Sequence, residues 1–426
     1  MNIYEAASKA REASILLQGI DGETKQKALL AIQTALKANK EAIFNANEID
    51  LRVSEAQNIA TPVLKRLRFD EGKLQDVLDG IESLIHMEEP VGKVQMQTEL
   101  DEGLVLTRIS CPIGVIGVIF ESRPDALVQI SSLCLKSGNS VLLKGGREAK
   151  ETNKILFEII KKASEEAGIP EGWITLMETR EEVSEILKMH NYIDLLIPRG
   201  SNEFVQYIMK NSDIPVMGHA DGICHTYVDE KADLDLAVNV VTDSKTQYVS
   251  VCNALETLLV HEHVANAFLP RLKASLEAKG ASIKGCEKTR SIIECEEASE
   301  ADWKTEYLDY ILSIKVVSSL EEAIAHINTF GSGHTDCIIS TDEGAVEKFM
   351  MLVDSGNVFC NVSTRFSDGF RYGFGAEVGV STSKIHARGP VGIEGLLIYK
   401  YKLMGHGHIV GDYASGTKKF THKKLI

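Results

Sequence analysis

The sequence predicts an α/β protein of two domains, each a mainly parallel sheet covered by helices, with a β-hairpin outside both. Three observations predict it. Strand-length apolar runs alternate with helical segments from Ile113 onward, and a second such series begins after about residue 222. Ahead of both, an all-helical start gives way abruptly to an extended pattern near residue 94.

In the first ninety residues, Ala28, Leu29, Ile32, Ala35 and Leu36 recur at helical spacing, as do Leu74, Val77, Leu78 and Ile81. The runs 94–100 and 104–109 flank Asp101-Glu102-Gly103, a short hairpin loop containing glycine. Next come a strand at 113–120, a helix at 125–136 with Pro124 in its first turn, and a strand at 140–144. The helix 148–167 stops at Gly168, with Pro170 beyond it, and short strands are expected at 173–177, 193–197 and 214–217. The second series places strands at 226–228, 255–261, 310–317, 336–340 and 357–360. Between two of these, Ser318 stands three residues before Glu321 as a capping box, and Leu320, Ile324 and Ile327 form the apolar stripe of a helix. A strand and a loosely held tail are expected over the last thirty residues. The domains are therefore drawn as 1–93 with 112–222, then 223–382, with 94–111 and 383–426 as an accessory hairpin and tail.

The 426 residues carry 46 Lys+Arg against 61 Asp+Glu, a net charge of −15. That balance argues against a nucleic-acid or anionic-membrane binder, because no surplus of cations exists to neutralise phosphates. A small anion held by a few local Arg and Lys side chains remains compatible with it. The longest strongly apolar run, at 111–120, is far short of a membrane span, and the N-terminal residues lack a signal peptide's apolar core. A cytoplasmic location is expected. Eight cysteines, with no CxxC pair, read as reduced thiols rather than as a disulfide framework.

No usual dinucleotide fingerprint is present: Gly114 and Gly117 are too few, and Gly373, Gly375 and Gly379 are misspaced. Two segments offer anion-binding chemistry instead. An apolar strand runs into Gly200-Ser201 at a helix start, where free N–H groups suit a pyrophosphate or serve a plain cap. Another delivers Lys144 and Arg147 to one end of the sheet, which suits a ribose carrying a 2′-phosphate or makes an ordinary solvated pair of cations.

Cys252 lies in a polar loop just before a buried strand, the setting of a rigidly held thiolate, although most cysteines are inert packing. Asn253 and Thr246 add polar groups nearby but no base. The histidine pairs His261/His263 and His406/His408 lack partners at zinc spacing, so no metal is expected. His326 and His334 read as capping or core residues. The acidic stretch 294–306 reads as a solvated face, with Glu306 held apart because it precedes a strand. In the loop 361–368, Arg365 and Asp368 could clamp an amino-acid zwitterion or simply shape a turn.

Three stretches together resemble the γ-glutamyl phosphate reductase family of the aldehyde dehydrogenase superfamily. They are PIGVIGVIFESRP at 112–124 with KSGNSVLLKGG at 136–146; VCNALETLLV at 251–260; and AIAHIN at 323–328 with GSGHTD at 331–336. The last departs from the family pattern only at Phe330, where His or Tyr is usual. The resemblance runs to about Lys402. It implies the aldehyde dehydrogenase-like fold, with Cys252 as nucleophile and Asn253 beside it, and Lys144 at the adenosine ribose. By the same resemblance Arg147 favours NADP over NAD, Gly200-Ser201 lies near the pyrophosphate, and Glu306 contacts the nicotinamide ribose. Arg123, Arg365 and Asp368 are left as substrate-binding residues.

Two departures matter. The Glu-Leu-Gly-Gly stretch whose glutamate activates water in hydrolytic aldehyde dehydrogenases corresponds here to His219-Ala-Asp-Gly222, and the oxyanion-holding asparagine is replaced by the Glu121-Ser122-Arg123 stretch. The resemblance implies reduction of L-glutamyl 5-phosphate by NADPH to L-glutamate 5-semialdehyde and phosphate through a Cys252 thioester, the second step of proline biosynthesis from glutamate. An oxidising aldehyde dehydrogenase, an acyl-CoA reductase and a silent scaffold are the competing readings. The family's hairpin implies a homo-oligomer, and a glutamate 5-kinase is the partner that would hand over so labile a substrate.

Overall fold

A computed structural model describes residues 2–59, 61–177 and 181–426. The chain divides into two compact units, one of residues 1–217, 374–378 and 391–426, the other of residues 218–373 and 379–390.

The core of the first unit is a four-stranded parallel sheet in the order Ile174–Met177, Ser140–Gly145, Val115–Phe120, Leu195–Arg199. Its two central strands are buried almost throughout, as their unbroken apolar runs require of a sheet covered on both faces. The helix Pro124–Ser137 begins on Pro124 and stops at Gly138, whose φ of 76° only glycine adopts without strain. After Val115–Phe120 the chain steps outward twice, then returns to the other side with Leu195–Arg199. The direction therefore reverses beside the carboxyl end of Val115–Phe120, where open α/β sheets bind ligands. The segment 214–217, expected as a strand, contributes only an isolated bridge between Leu196 and Val216. With Pro215 in it, this segment cannot supply a full ladder of donors.

The hairpin Val94–Asp101 and Leu104–Pro112 joins a second, antiparallel sheet of this unit, in the order Leu397–Met404, Leu104–Pro112, Val94–Asp101, Lys423–Lys424. Leu397–Met404 pairs along its whole length with this chain's own hairpin, from Leu397 opposite Pro112 to Met404 opposite Val105. The tail expected to hang loosely also forms a helical turn, Val410–Ala414, and returns to the sheet.

The second unit is built on a seven-stranded parallel sheet in the order Glu296–Glu297, Ser282–Gly285, Ile311–Val317, Leu255–His261, Cys224–Val228, Thr335–Ile339, Asn357–Cys360. The first two strands escaped the sequence pattern: each is short, and one lies inside the acidic stretch. Asp302 of that stretch is buried, not on a solvated face. The helix Leu320–Phe330 is capped one residue later than the spacing suggests. Ser319 accepts from Glu322 N, while the Glu322 carboxylate reaches back to Ser318 N at 2.8 Å.

A cysteine site at the amino edge of the second sheet

Four loops that immediately precede neighbouring parallel strands meet at one edge of the second unit's sheet. The loop 249–254 carries Cys252 ahead of Leu255–His261; 218–223 carries His219 and Gly222 ahead of Cys224–Val228; His334 opens Thr335–Ile339; and Glu306 lies ahead of Ile311–Val317. Parallel pairing puts the starts of all four strands side by side, however far apart they lie in the chain.

Cys252 is half-buried, and its loop is held from three sides. Asn253 Nδ2 donates to the Ser367 carbonyl at 2.7 Å, Thr364 Oγ1 donates to the Asn253 carbonyl at 2.8 Å, and Cys224 Sγ donates to the Cys252 carbonyl at 3.2 Å. Asn253 thus anchors the loop through its amide group. Gly222 lies so close that a Cβ there would be 2.2 Å from the Cys252 carbonyl oxygen and 2.4 Å from its Cα. Ring nitrogens of His219 and His334 and the Cys252 sulfur all lie within 4.8 Å of one another. The family resemblance put the His219 segment at the position of a glutamate that acts at the cysteine, but no spacing pointed to His334.

Charge around the site is managed by burial. Burial pushes the Cys224 thiol well above its ordinary value, with Asp336, Cys252, Glu256 and Glu306 adding to the rise. Glu256 and Lys245, both fully buried, form an ion pair at 2.7 Å. Burial pushes the Glu256 carboxyl up to about 7 against the pull of Lys245, and Glu306 adds to the rise. Arg365 is buried, with Nε donating to Gln247 Oε1 at 2.9 Å. Burial and Arg371 lower its pKa, while Cys252 and Asp368 favour its charged form. Asp368 is ion-paired with Arg371 at 3.6 Å, so the acid of the expected clamp already has a cation, one that the sequence reading missed.

His326 is a core residue: burial pushes its imidazole down to about 3. His261 and His263 do acquire a carboxylate neighbour, Glu230, within 4.8 Å. His261 Nδ1 accepts the His263 backbone N–H at 3.2 Å, and His263 Nδ1 lies 3.0 Å from Glu230 Oε2.

In the first unit, Lys144 stands at the carboxyl end of its strand, nearly buried, with Nζ 3.3 Å from the Gly145 carbonyl. Arg147 is exposed and opens the turn after it. Together with Lys150 and Asn153 it lines a small pocket whose floor includes Met177. Asn153 Oδ1 is buried there without a hydrogen-bond partner. An orphaned acceptor among cations fits a ribose hydroxyl beside a phosphate, so these residues suit a 2′-phosphorylated dinucleotide. The Gly200-Ser201 site is different. Ser201 N already donates to Glu121 Oε2 at 3.2 Å, so a carboxylate occupies the anion position at the start of Asn202–Asn211. In the segment replacing the superfamily's asparagine, Ser122 adopts φ 50° and gives both its N–H and its hydroxyl to Glu148. Arg123 is half-buried and precedes the helix Pro124–Ser137.

Residues 1–284, which include Cys252, match the aldehyde dehydrogenase family. Two curated relatives, both named γ-glutamyl phosphate reductase, are 65% identical (Acetivibrio thermocellus) and 62% identical (Pelotomaculum thermopropionicum). Each spans 100% of this chain, over 99% and 98% of its own length respectively. The crystal structure of γ-glutamyl phosphate reductase from Thermotoga maritima superposes with a TM-score of 0.93 at 39% identity, covering 95% of this chain and 99% of its own. The chain belongs to the γ-glutamyl phosphate reductases, an oxidoreductase family within the aldehyde dehydrogenases.

Proposed function

We propose that the chain reduces L-glutamyl 5-phosphate to L-glutamate 5-semialdehyde and phosphate, with NADPH as reductant, as the second step of proline biosynthesis from glutamate. The observation that carries this reading is the contact between Gly222 and Cys252. In hydrolytic aldehyde dehydrogenases the corresponding segment supplies a glutamate that activates water. Here His219-Ala-Asp-Gly222 places no glutamate at that position, and Gly222 holds the segment against the Cys252 backbone.

The Cys252 sulfur attacks the acyl carbon as its proton is removed, and phosphate, already a good leaving group, departs to leave a thioester. Bound NADPH supplies the hydride that takes the acyl group to the aldehyde level. The Cys252 backbone N–H serves as an oxyanion donor, and the nearby Arg365 attracts the anionic substrate. Asn253 keeps the cysteine loop in register. Lys144, Arg147 and Asn153 hold the phosphorylated adenosine ribose, and Glu306 contacts the nicotinamide ribose. Gly200-Ser201 takes the pyrophosphate once Glu121 gives up its hydrogen bond. Asp368 orients Arg371 and through it the loop of Arg365, and Arg123 adds a further cation for the substrate.

A homo-oligomer is proposed from the exposed strand Leu397–Met404. No helix among the described residues is long and apolar enough to cross a membrane. A cytoplasmic enzyme fed by a glutamate 5-kinase is the corresponding cellular picture. Cys252→Ser should retain NADPH binding by fluorescence titration while losing all but about one part in 10³ of turnover. Substantial residual turnover in that variant would contradict the assignment.

A further inference from the structure

Around the Cys252 sulfur, the two imidazoles differ in what they can do. His219 Nδ1 lies 2.8 Å from the Val380 carbonyl. A carbonyl only accepts, so Nδ1 carries the ring proton and Nε2 of the neutral ring holds the lone pair. The His219 ring meets the His334 ring edge to face at 4.9 Å. His334 is fully buried, with Nδ1 against Thr335 Oγ1 at 2.8 Å and Nε2 without a hydrogen-bond partner, so it has no path to exchange protons with solvent. His219 is only half-buried. Cys224, the other thiol at this edge, stays protonated because burial disfavours its thiolate.

We infer that His219 is the proton-transfer group of the Cys252 reaction. The inference rests on the acyl-phosphate reading above and deepens it. As the bond from sulfur to the acyl carbon forms, the Cys252 S–H bond breaks and its proton passes to His219 Nε2. The bond from the acyl carbon to the bridging oxygen then breaks, and the oxygen departs with the electron pair. It takes the proton from His219, so the products are the Cys252 thioester and hydrogen phosphate, with His219 neutral again. No oxidant or reductant enters this half of the reaction. After the acyl group has been reduced, the thiolate that leaves the aldehyde regains its proton from solvent through His219. A ring oriented by a third group, here the Val380 carbonyl, follows the logic of nucleophile–base pairs generally.

Two variants of the full chain test this. His219→Asn keeps a donor for the Val380 carbonyl and loses the acceptor nitrogen, whereas His219→Ala leaves space for added imidazole. In His219→Asn, alkylation of Cys252 by iodoacetamide at neutral pH, followed on its peptide by mass spectrometry, should slow about ten-fold. Turnover should fall about 10²-fold or more with KM for NADPH unchanged, and imidazole should restore turnover to His219→Ala. Alkylation within about two-fold of the parent chain, or lost turnover that imidazole does not restore, overturns the inference. Alkylation requires no substrate. A parent chain that turns over no acyl phosphate, yet loses Cys252 reactivity in His219→Asn, would therefore refute the substrate and leave His219 as the base of the thiol.

Discussion

At the scale of single residues, position matters more than identity. Gly222 is required by the Cys252 backbone, which lies where a side chain would start. Gly222→Ala must push the nucleophile's loop aside, and a displacement near 1 Å costs on the order of 10² in rate. The expected outcome is such a loss in kcat, with NADPH affinity retained in a binding titration. Parent-like kcat would show that the loop tolerates the shift. Lys245 and Glu256 behave differently, because both are fully buried and each depends on the other. Lys245→Met should cost about 3–5 kcal/mol in denaturant unfolding, since it leaves a carboxyl buried without its cation. The double change with Glu256→Leu should recover most of that loss.

At the scale of elements, the loop carrying Glu306 is held by one acid. Asp302 accepts from Lys284 Nζ, from the N–H and the hydroxyl of Ser299, and from Tyr307 Oη, each at 2.7 Å. Burial alone would raise its pKa, but these four bonds outweigh burial and hold the carboxyl far below its ordinary value. A depressed carboxyl contributes stability above its unfolded value, near 4, and the contribution shrinks as pH falls below that. Asp302→Asn should therefore cost about 1–3 kcal/mol at neutral pH, with its unfolding curves converging on the parent's below about pH 4. A gap that widens in acid would contradict the assignment. This loop also shows how far the sequence could be read. The strand periods and the hairpin were legible because each depends on local pattern. The place of His334 beside Cys252 was not, because only parallel strand order brings those loops together. Asp302 was lost among neighbouring acids that really are solvated, and Asn153 sits within an ordinary amphipathic helix, Lys150–Glu166. The capping box slipped by one residue because Ser318 and Ser319 offer equivalent hydroxyls.

At the scale of the molecule, the strand Leu397–Met404 ends its sheet and exposes Tyr399, Tyr401, Leu403 and Met404. An unpaired edge with apolar side chains invites a second copy of the chain. Tyr401→Lys with Leu403→Lys should reduce the solution mass measured by light scattering, and an unchanged mass would remove this edge from the assembly. The net charge of −15 leaves any anion to be bound by local cations such as Lys144, Arg147, Arg123, Arg365 and Arg371. In the proposed reaction a Cys252 thioester is resolved by phosphate and not by water. This is tested most directly by running the reaction backwards, supplying glutamate 5-semialdehyde and NADP with and without phosphate. Without phosphate, at most one NADPH per chain should form; with phosphate, continuous turnover should follow. Sustained turnover in the absence of phosphate would contradict the account.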